Sequence, residues 1–408
     1  MISPPPSLSG VRVLDLSRLL PGPFCTLILS DLGASVDKLE DPYVGDYLRL
    51  FPPLRDGLSG RFLALNRDKR SLCLDLKRPE GRAALLRLLP RYDVLVESFR
   101  PGVMDRLGLG AAALHSHNPR LVVCSISGYG QDGPYRERAG HDLNYCAMAG
   151  VLGLSGEDPT RPPHALPIQL ADIAGGSLWA ATAICAALFA AARTGAGRHL
   201  DVSMCEGALA FLIPDLGNLD AGGAEPQRGA ELLTGGSACY GVYRTRDGRF
   251  LSVAALEPKF WLAFNAALGR PGDASELIAG PAEQARVREE IQALLAQRTR
   301  DEWELVFAGA DACVEPVLTP GEARAHRLHQ ERQVFFAIDN RGAEAALATD
   351  EGRESGALPQ VRTPLRTRDS APATAPPRLG QHSAAVLQEA GFSEAEIAAL
   401  VAARATVA

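Results

Sequence analysis

Short apolar runs alternate with helix-like segments through the first two hundred residues, and this rhythm narrows the possible folds more than any single motif. Strand-like stretches at 11–16, 71–76, 94–97 and 121–125 are interrupted by helix-like stretches at 24–32 and 79–89. Strands alternating with helices join through crossovers and give a parallel sheet in an α/β layer fold. Val94-Leu95-Val96 is apolar at every position, as a strand covered on both faces should be. Pro79 followed by Glu80 suits a helix N-terminus, where a missing N–H is harmless and a carboxylate meets the positive end of the dipole. The pattern predicts a Rossmann-like layer. A dinucleotide fold would show Gly-x-Gly-x-x-Gly after its first strand, but this chain has Leu19-Leu20-Pro21-Gly22-Pro23. One glycine between prolines is no pyrophosphate cradle, so this reading rejects a nicotinamide or flavin cofactor.

Past Pro214 the texture turns to Gly, Ala, Glu and Pro, which reads as a connection between domains. Tyr240-Gly241-Val242-Tyr243-Arg244 and Phe250-Leu251-Ser252-Val253 then flank the turn pair Asp247-Gly248 and predict a β-hairpin, with helices near 260–268 and 286–295. The expected organisation is a large Rossmann-like domain over 1–225, a small α+β domain over 226–325, and a segment over 326–408 that returns to the large domain. Within that last segment, 363–379 reads as a Pro/Thr/Ala linker and Ser393 with Glu396 as a capping box before a terminal helix.

At 408 residues with 46% hydrophobic content the chain should fold without staples. Its net charge of −6 speaks against a general affinity for nucleic acid or acidic membranes, so an anionic ligand must meet a local basic patch. The candidates are the basic run Arg67, Lys69 and Arg70, together with Lys38 and Arg100. Eight scattered cysteines without a Cys-x-x-Cys pair read as reduced, buried thiols of a cytoplasmic protein. The N-terminus shows no export signal, and the Ala-rich run 178–192 falls short of the roughly 20 residues of a membrane span. That run is predicted to be a core helix, with no membrane as a partner.

Two further sites read as helix starts: Gly140-His141-Asp142-Leu143-Asn144-Tyr145, and, 31 positions on (172 − 141), Ala171-Asp172-Ile173-Ala174-Gly175-Gly176. A helix start gathers unpaired N–H groups and partial positive charge, which steady a carboxylate or a developing oxyanion. A His and an Asp placed this way can work on one acidic carbon from two sides. For general base work, the aspartate must be partly desolvated to bring its pKa near neutral. Ile168, Leu170, Ile173 and Trp179 supply apolar neighbours, while the helix dipole pulls the other way. The Asp142 side chain itself reads equally as a helix N-cap.

The ordered motifs resemble the class III CoA-transferase superfamily, also called CaiB/BaiF, over nearly the whole chain. They are Leu8-Ser9-Gly10-Val11-Arg12-Val13-Leu14-Asp15-Leu16 with Pro21-Gly22-Pro23, Asn66-Arg67-Asp68-Lys69-Arg70-Ser71, and Glu97-Ser98-Phe99-Arg100-Pro101-Gly102 with Leu107-Gly108. Ala171-Asp172, Thr194-Gly195-Ala196-Gly197-Arg198 and Gly241-Val242-Tyr243 continue the series. Within the superfamily, the 140–145 segment and Leu256-Glu257-Pro258-Lys259-Phe260 look like the α-methylacyl-CoA racemase branch. The resemblance implies that a (2R)- or (2S)-2-methylacyl-CoA binds with its α-carbon between His141 and Asp172. One would remove the α-proton and the other return it opposite, through an enolate held by the Asp142 backbone N–H. It also implies Glu257 as the carboxylate that orients the histidine, and Lys38, Arg67, Lys69, Arg70 and Arg100 as the holders of the CoA phosphates. Coenzyme A enters as part of the substrate, and no further cofactor or metal is expected. An interlocked homodimer follows from the same resemblance. The chain departs from the family pattern at Asp41, where many relatives have Arg, and Gly235-Gly236 is a shortened form of the transferases' glycine loop. The alternative is a CoA-transferase in which Asp172 attacks the thioester and an acceptor carboxylate is required. A CoA-binding protein without turnover is disfavoured by the presence of His141, Asp172 and Glu257 together.

Overall fold

The computed structural model describes residues 6–339 and 357–407. The chain divides into two compact units: a larger one of Met1–Ala149, Ile168–Phe211 and Arg327–Ala408, and a smaller one of Gly150–Pro167 and Leu212–His326.

In the larger unit, β1 (Arg12–Asp15), α1 (Pro21–Asp31), β2 (Ser35–Glu40), β3 (Lys69–Cys73), α2 (Pro79–Leu88), β4 (Val94–Glu97) and β5 (Val122–Ser127) succeed one another as the hydrophobic rhythm requires. After a long crossover containing α3 (Asp142–Met148), the segment Ala171–Leu178 and α4 (Trp179–Thr194), β6 (Arg198–Ser203) closes the sheet. The short helix α5 (Met204–Leu209) follows it directly. The strand order is β3-β2-β1-β4-β5-β6, and every neighbouring pair is parallel. The order reverses between β1 and β4, the point at which open parallel sheets bind ligands beyond their strands' C-terminal ends. Val13, Leu14, Val94, Leu95 and Val122 are fully buried, so this centre is covered on both faces.

β2 escapes the hydrophobic pattern. Its sequence Ser-Val-Asp-Lys-Leu-Glu holds three charged residues, yet Asp37, Lys38 and Glu40 are all buried. Each is paired: Asp37 with Arg70 at 2.6 Å, Lys38 with Asp46 at 3.0 Å and Glu40 with Arg49 at 2.6 Å. Buried charge survives only when paired and hydrogen-bonded, and the pairing here lets a charged sequence serve as an inner strand.

Segment Ala171–Leu178 winds as a π-helix and runs straight into α4, so the apolar helical stretch spans 24 residues, Ala171–Thr194. It is longer than the 178–192 run suggested, and by length and composition it is long and apolar enough to cross a membrane. Ala180, Ile184, Ala187 and Ala191 repeat on one buried face, packed on β5 and β6. Close approach of α5 to the π segment depends on two glycines. A Cβ on Gly207 would lie 2.0 Å from the Gly175 carbonyl oxygen, and one on Gly175 2.6 Å from that of Met204.

The smaller unit is built on an antiparallel sheet of β7 (Tyr240–Arg244), β8 (Phe250–Ala254) and β9 (Val314–Pro316). The predicted hairpin is present, with Leu251 opposite Tyr243. Helices α6 (Pro258–Leu268), α7 (Pro281–Leu295) and α8 (Arg300–Phe307) bury Trp261, Phe264, Trp303 and Phe307 beside it. The expected boundary at 225 moves to Leu212, and 150–167 belongs with the smaller unit. The staple is Arg228, which donates to the Gly153 carbonyl at 3.0 Å and also to that of Arg161. Likewise, 213–220 is a helix rather than bare connection.

The expected 363–379 linker is strapped to the larger unit: Arg366 pairs with Asp31 and Asp68, and the Thr374 N–H donates to Asp68 at 2.6 Å. The Ser393–Glu396 capping box forms as read, opening α9's successor: α9 (Ser383–Glu389) is followed by α10 (Glu394–Ala402), capped by Ser393.

Candidate active site

His141 is the N-cap of α3, not its neighbour Asp142, which occupies the first helical position. The His141 backbone N–H donates to the Asn144 side-chain oxygen at 3.1 Å, closing the helix start. Tyr145, one residue on, is buried and donates its hydroxyl to the Gly140 carbonyl at 2.5 Å, fixing the approach to His141. Its ring meets Tyr129 edge-on at 5.1 Å. Tyr145 thus belongs to the core and also holds the chain that leads into His141. The His141 side chain is exposed.

With its N-cap role taken, the Asp142 carboxylate is free to act elsewhere, and it accepts the backbone N–H of Asp172 at 3.0 Å. Two helix starts 30 residues apart are thereby joined. Asp172 is the second residue of the π segment, and π turns recur at functional sites. Ser177 holds the segment from behind, donating to the Pro21 carbonyl at 2.6 Å. Burial pushes the Asp172 carboxyl up to about 7, and the charge of Asp142 adds to the push. The same surroundings push the Tyr145 hydroxyl up to about 12, through burial first and Asp172 second.

Glu257 is exposed at the N-cap of α6 in the smaller unit.

The expected phosphate holders separate into two kinds. Lys38, Arg67 and Lys69 are fully enclosed, at no more than 2% exposure. Arg67 forms a two-pronged pair with Asp31 at 2.7 and 2.8 Å. Lys69 reaches Thr26 at 2.8 Å, the Pro23 carbonyl at 2.9 Å and Asp15 at 3.3 Å. Lys38 donates to the Ser17 carbonyl at 2.7 Å. The expectation that these three hold phosphate is corrected: all three are enclosed and bonded to groups inside the fold, where a basic run in the sequence had suggested a surface. Arg70 is only partly buried but is committed to Asp37 and Glu389.

Arg100 alone of the five is exposed and lacks an ion-pair partner among the described residues. It lines a cavity of about 270 Å³ with Glu97, Ser125, Gln131, Arg136 and His199, beyond the C-terminal end of β4. Two arginines missed in the sequence converge over Gly102, itself part of the cavity lining. A Cβ on Gly102 would lie 3.2 Å from an Arg106 guanidinium nitrogen and 3.3 Å from one of Arg136. Arg106 has no ion-pair partner among the described residues, and Arg136 has only its neighbour Glu137 at 3.9 Å. Arg106 stands inside the Arg100-to-Gly108 motif, so position within a recognised segment was the available signal. Burial pushes Glu97 up to about 7 against hydrogen bonds from Ser125 and the Phe99 N–H, so this floor is not a full negative charge at neutral pH.

Residues 8–383 match the model of CoA-transferase family III, and the chain belongs to that family. It is 38% identical over 400 residues to the human protein named alpha-methylacyl-CoA racemase, covering 96% of this chain and 95% of that one. It is 35% identical over 413 residues to an acyl-CoA transferase of Fusarium pseudograminearum (strain CS3096), covering 96% and 86%. Among solved structures it resembles a CAIB/BAIF family protein from Brucella suis, with TM-score 0.78, 32% identity, and coverage of 95% and 100%.

Proposed function

We propose that the protein is an α-methylacyl-CoA racemase-like isomerase that interconverts (2R)- and (2S)-2-methylacyl-CoA thioesters. The observation that carries this reading is the placement of Asp172. Its carboxyl, pushed up to about 7, is joined through Asp142 to the helix start that presents His141. A carboxyl with this pKa takes a proton as readily as it gives one near neutral pH, which a reversible α-proton exchange needs at one of its two bases.

In the forward step, one group removes the α-proton, breaking the C–H bond and leaving the electron pair as an enolate on the thioester oxygen. The second group then delivers its own proton to the opposite face. The enolate oxygen needs preorganised donors, and the Asp142 backbone N–H at the first helical position is the one assigned to it. Arg100 and Arg106, without ion-pair partners among the described residues, and Arg136, paired only with its neighbour Glu137 at 3.9 Å, are the cations best suited to the CoA phosphates, in place of the enclosed Lys38, Arg67 and Lys69. The interlocked homodimer is retained as part of the proposal. Supporting it, Leu178, Trp179 and Phe189 stand exposed along the Ala171–Thr194 helix, a face suited to burial against a second copy.

A second reading, CoA transfer through an acyl-aspartyl intermediate at Asp172, is favoured by the transferase likeness across most of the chain. The test uses one pure epimer of a 2-methylacyl-CoA in heavy water without an acceptor acid. The expected result is deuterium at the α-carbon with drift toward both epimers, reduced about 10²- to 10⁴-fold in His141→Ala and Asp172→Ala and to a smaller degree in Glu257→Gln. No exchange, with CoA transfer once a carboxylic acid is supplied, selects the second reading.

A further inference from the structure

We propose that the Asp142 side chain is a positioning carboxylate for Asp172: it joins the His141 helix start to the π segment by accepting the Asp172 N–H, and it sets its own charge against a second charge there. This rests on Asp172 being a proton-transfer group. Asp142 does not cap its helix, since His141 and Asn144 do so. Its Oδ1 takes the Asp172 N–H at 3.0 Å, while Oδ2 faces the Cys146 thiol at 3.8 Å. Neither contact is cationic, and Asp142 has no ion pair among the described residues, so its charge is left unneutralised. The bond also occupies one of the N–H groups at the start of the π segment, a donor that would otherwise favour an ionised Asp172.

The π segment packs against α1, α3, α4, α5, β5 and β6. The ionisable groups these elements carry, besides Asp142 and Asp172, are Cys25 and Asp31 on α1, Tyr145 and Cys146 on α3, Cys185 and Arg193 on α4, Cys124 on β5, and Cys205 with Glu206 on α5. Arg198, His199 and Asp201 lie on β6. Of all these elements' charges, only that of Asp142 acts on Asp172. A two-base exchange runs through two enzyme forms, one with the proton on the carboxyl and one with it on the imidazole. Asp142 raises the share of the first form.

The experiment compares wild type with Asp142→Asn, which keeps an oxygen for the Asp172 N–H and removes the charge. Aspartate labelled with ¹³C at the carboxyl is titrated by NMR, with Asp172 assigned by its loss in Asp172→Asn. In parallel, kcat/KM for α-proton exchange is followed against pH. The expected result is an Asp172 midpoint lowered by about one unit, the acid limb of kcat/KM moved by the same amount, and kcat/KM at its optimum reduced about tenfold equally for both epimers. Asp142→Ala loses the acceptor as well and is expected to lower kcat further with KM unchanged. An unmoved midpoint and acid limb in Asp142→Asn overturns the proposal, even if the rate falls, because a purely structural role lowers rate without shifting titration. Should wild type show no exchange, the racemase reading fails while the NMR titration still decides what Asp142 does.

Discussion

Asp15 and Asp172 are both aspartates withdrawn from water within the larger unit, and they are driven in opposite directions. Burial on its own pushes Asp15 up, but Lys38 and Lys69, with hydrogen bonds from Ser17 and Thr26, outweigh it and hold the carboxyl at about 2. Asp172 meets no cation, and its one charged neighbour is another carboxylate, so it is held at about 7. Burial is the shared condition and the partner decides the outcome. Around Asp15, opposite charges tie β1, β2 and β3 together at the expense of nothing chemical. Around Asp172, a like charge keeps a proton exchangeable and weakens the fold.

The largest effect expected from this contrast is on Asp15→Asn. The substitution leaves Lys38 and Lys69 enclosed without their shared carboxylate, and breaking a buried ion pair from one side costs about 3–5 kcal/mol. The denaturant midpoint measures it, and an unchanged midpoint breaks the comparison. The pH dependence has a definite sign. Because the native value, about 2, lies below the ordinary 3.8, the stabilisation is complete above about pH 4 and is lost as pH falls toward 2. Lys69, lowered by burial to about 8, loses its charge as pH rises through that value, which limits the network from the alkaline side.

Asp172→Asn should act in the reverse direction, raising stability while abolishing exchange. The native value of about 7 lies above the ordinary 3.8, so the unfolded chain ionises first as pH rises. Stability therefore falls between about pH 4 and 7 and levels off above, by at most about 1.4 kcal/mol per unit. Since Asp172 is partly exposed, the gain expected for Asp172→Asn at pH 8 is about 2 kcal/mol, vanishing at pH 4. Equal midpoints for variant and wild type at both pH values would remove the claim that the site strains the fold.

The same contrast explains what could be read from the sequence. β1, β4 and β5 are each built around a short apolar stretch and were legible by pattern, as were the Asp247-Gly248 hairpin and the Ser393 capping box. β2 was not legible by pattern, because Asp37, Lys38 and Glu40 look like surface and their neutralising partners Arg70, Asp46 and Arg49 lie at other positions in the chain. For that reason Lys38, Arg67 and Lys69 were assigned to phosphate and are found inside. His141 and Asp172 were legible as helix starts. That Asp142 links them was not, since a side chain one position into a helix and an N–H 30 residues away are joined only by the crossover's folding.

The smallest effect separates free cations from committed ones. Arg106 and Arg136 converge over Gly102, whereas Arg67 is locked to Asp31 in the interior. If the first pair meets the CoA phosphates, Arg106→Ala should raise KM for the thioester about fivefold with kcat nearly unchanged, a loss of about 1 kcal/mol of binding common to ground and transition states. Raising the ionic strength should narrow the gap between variant and wild type, because exposed charges are screened over about 8–10 Å. Arg67→Ala should instead lower the unfolding midpoint, since it removes the two-pronged partner of the buried Asp31, leaving that carboxylate to Arg366 at 3.3 Å and Thr363 at 2.7 Å, and touches no ligand. An Arg106→Ala enzyme with wild-type KM, alongside an Arg67→Ala enzyme that stays folded but loses affinity, would return the phosphate site to the basic run and make its enclosure by carboxylates a state that substrate displaces.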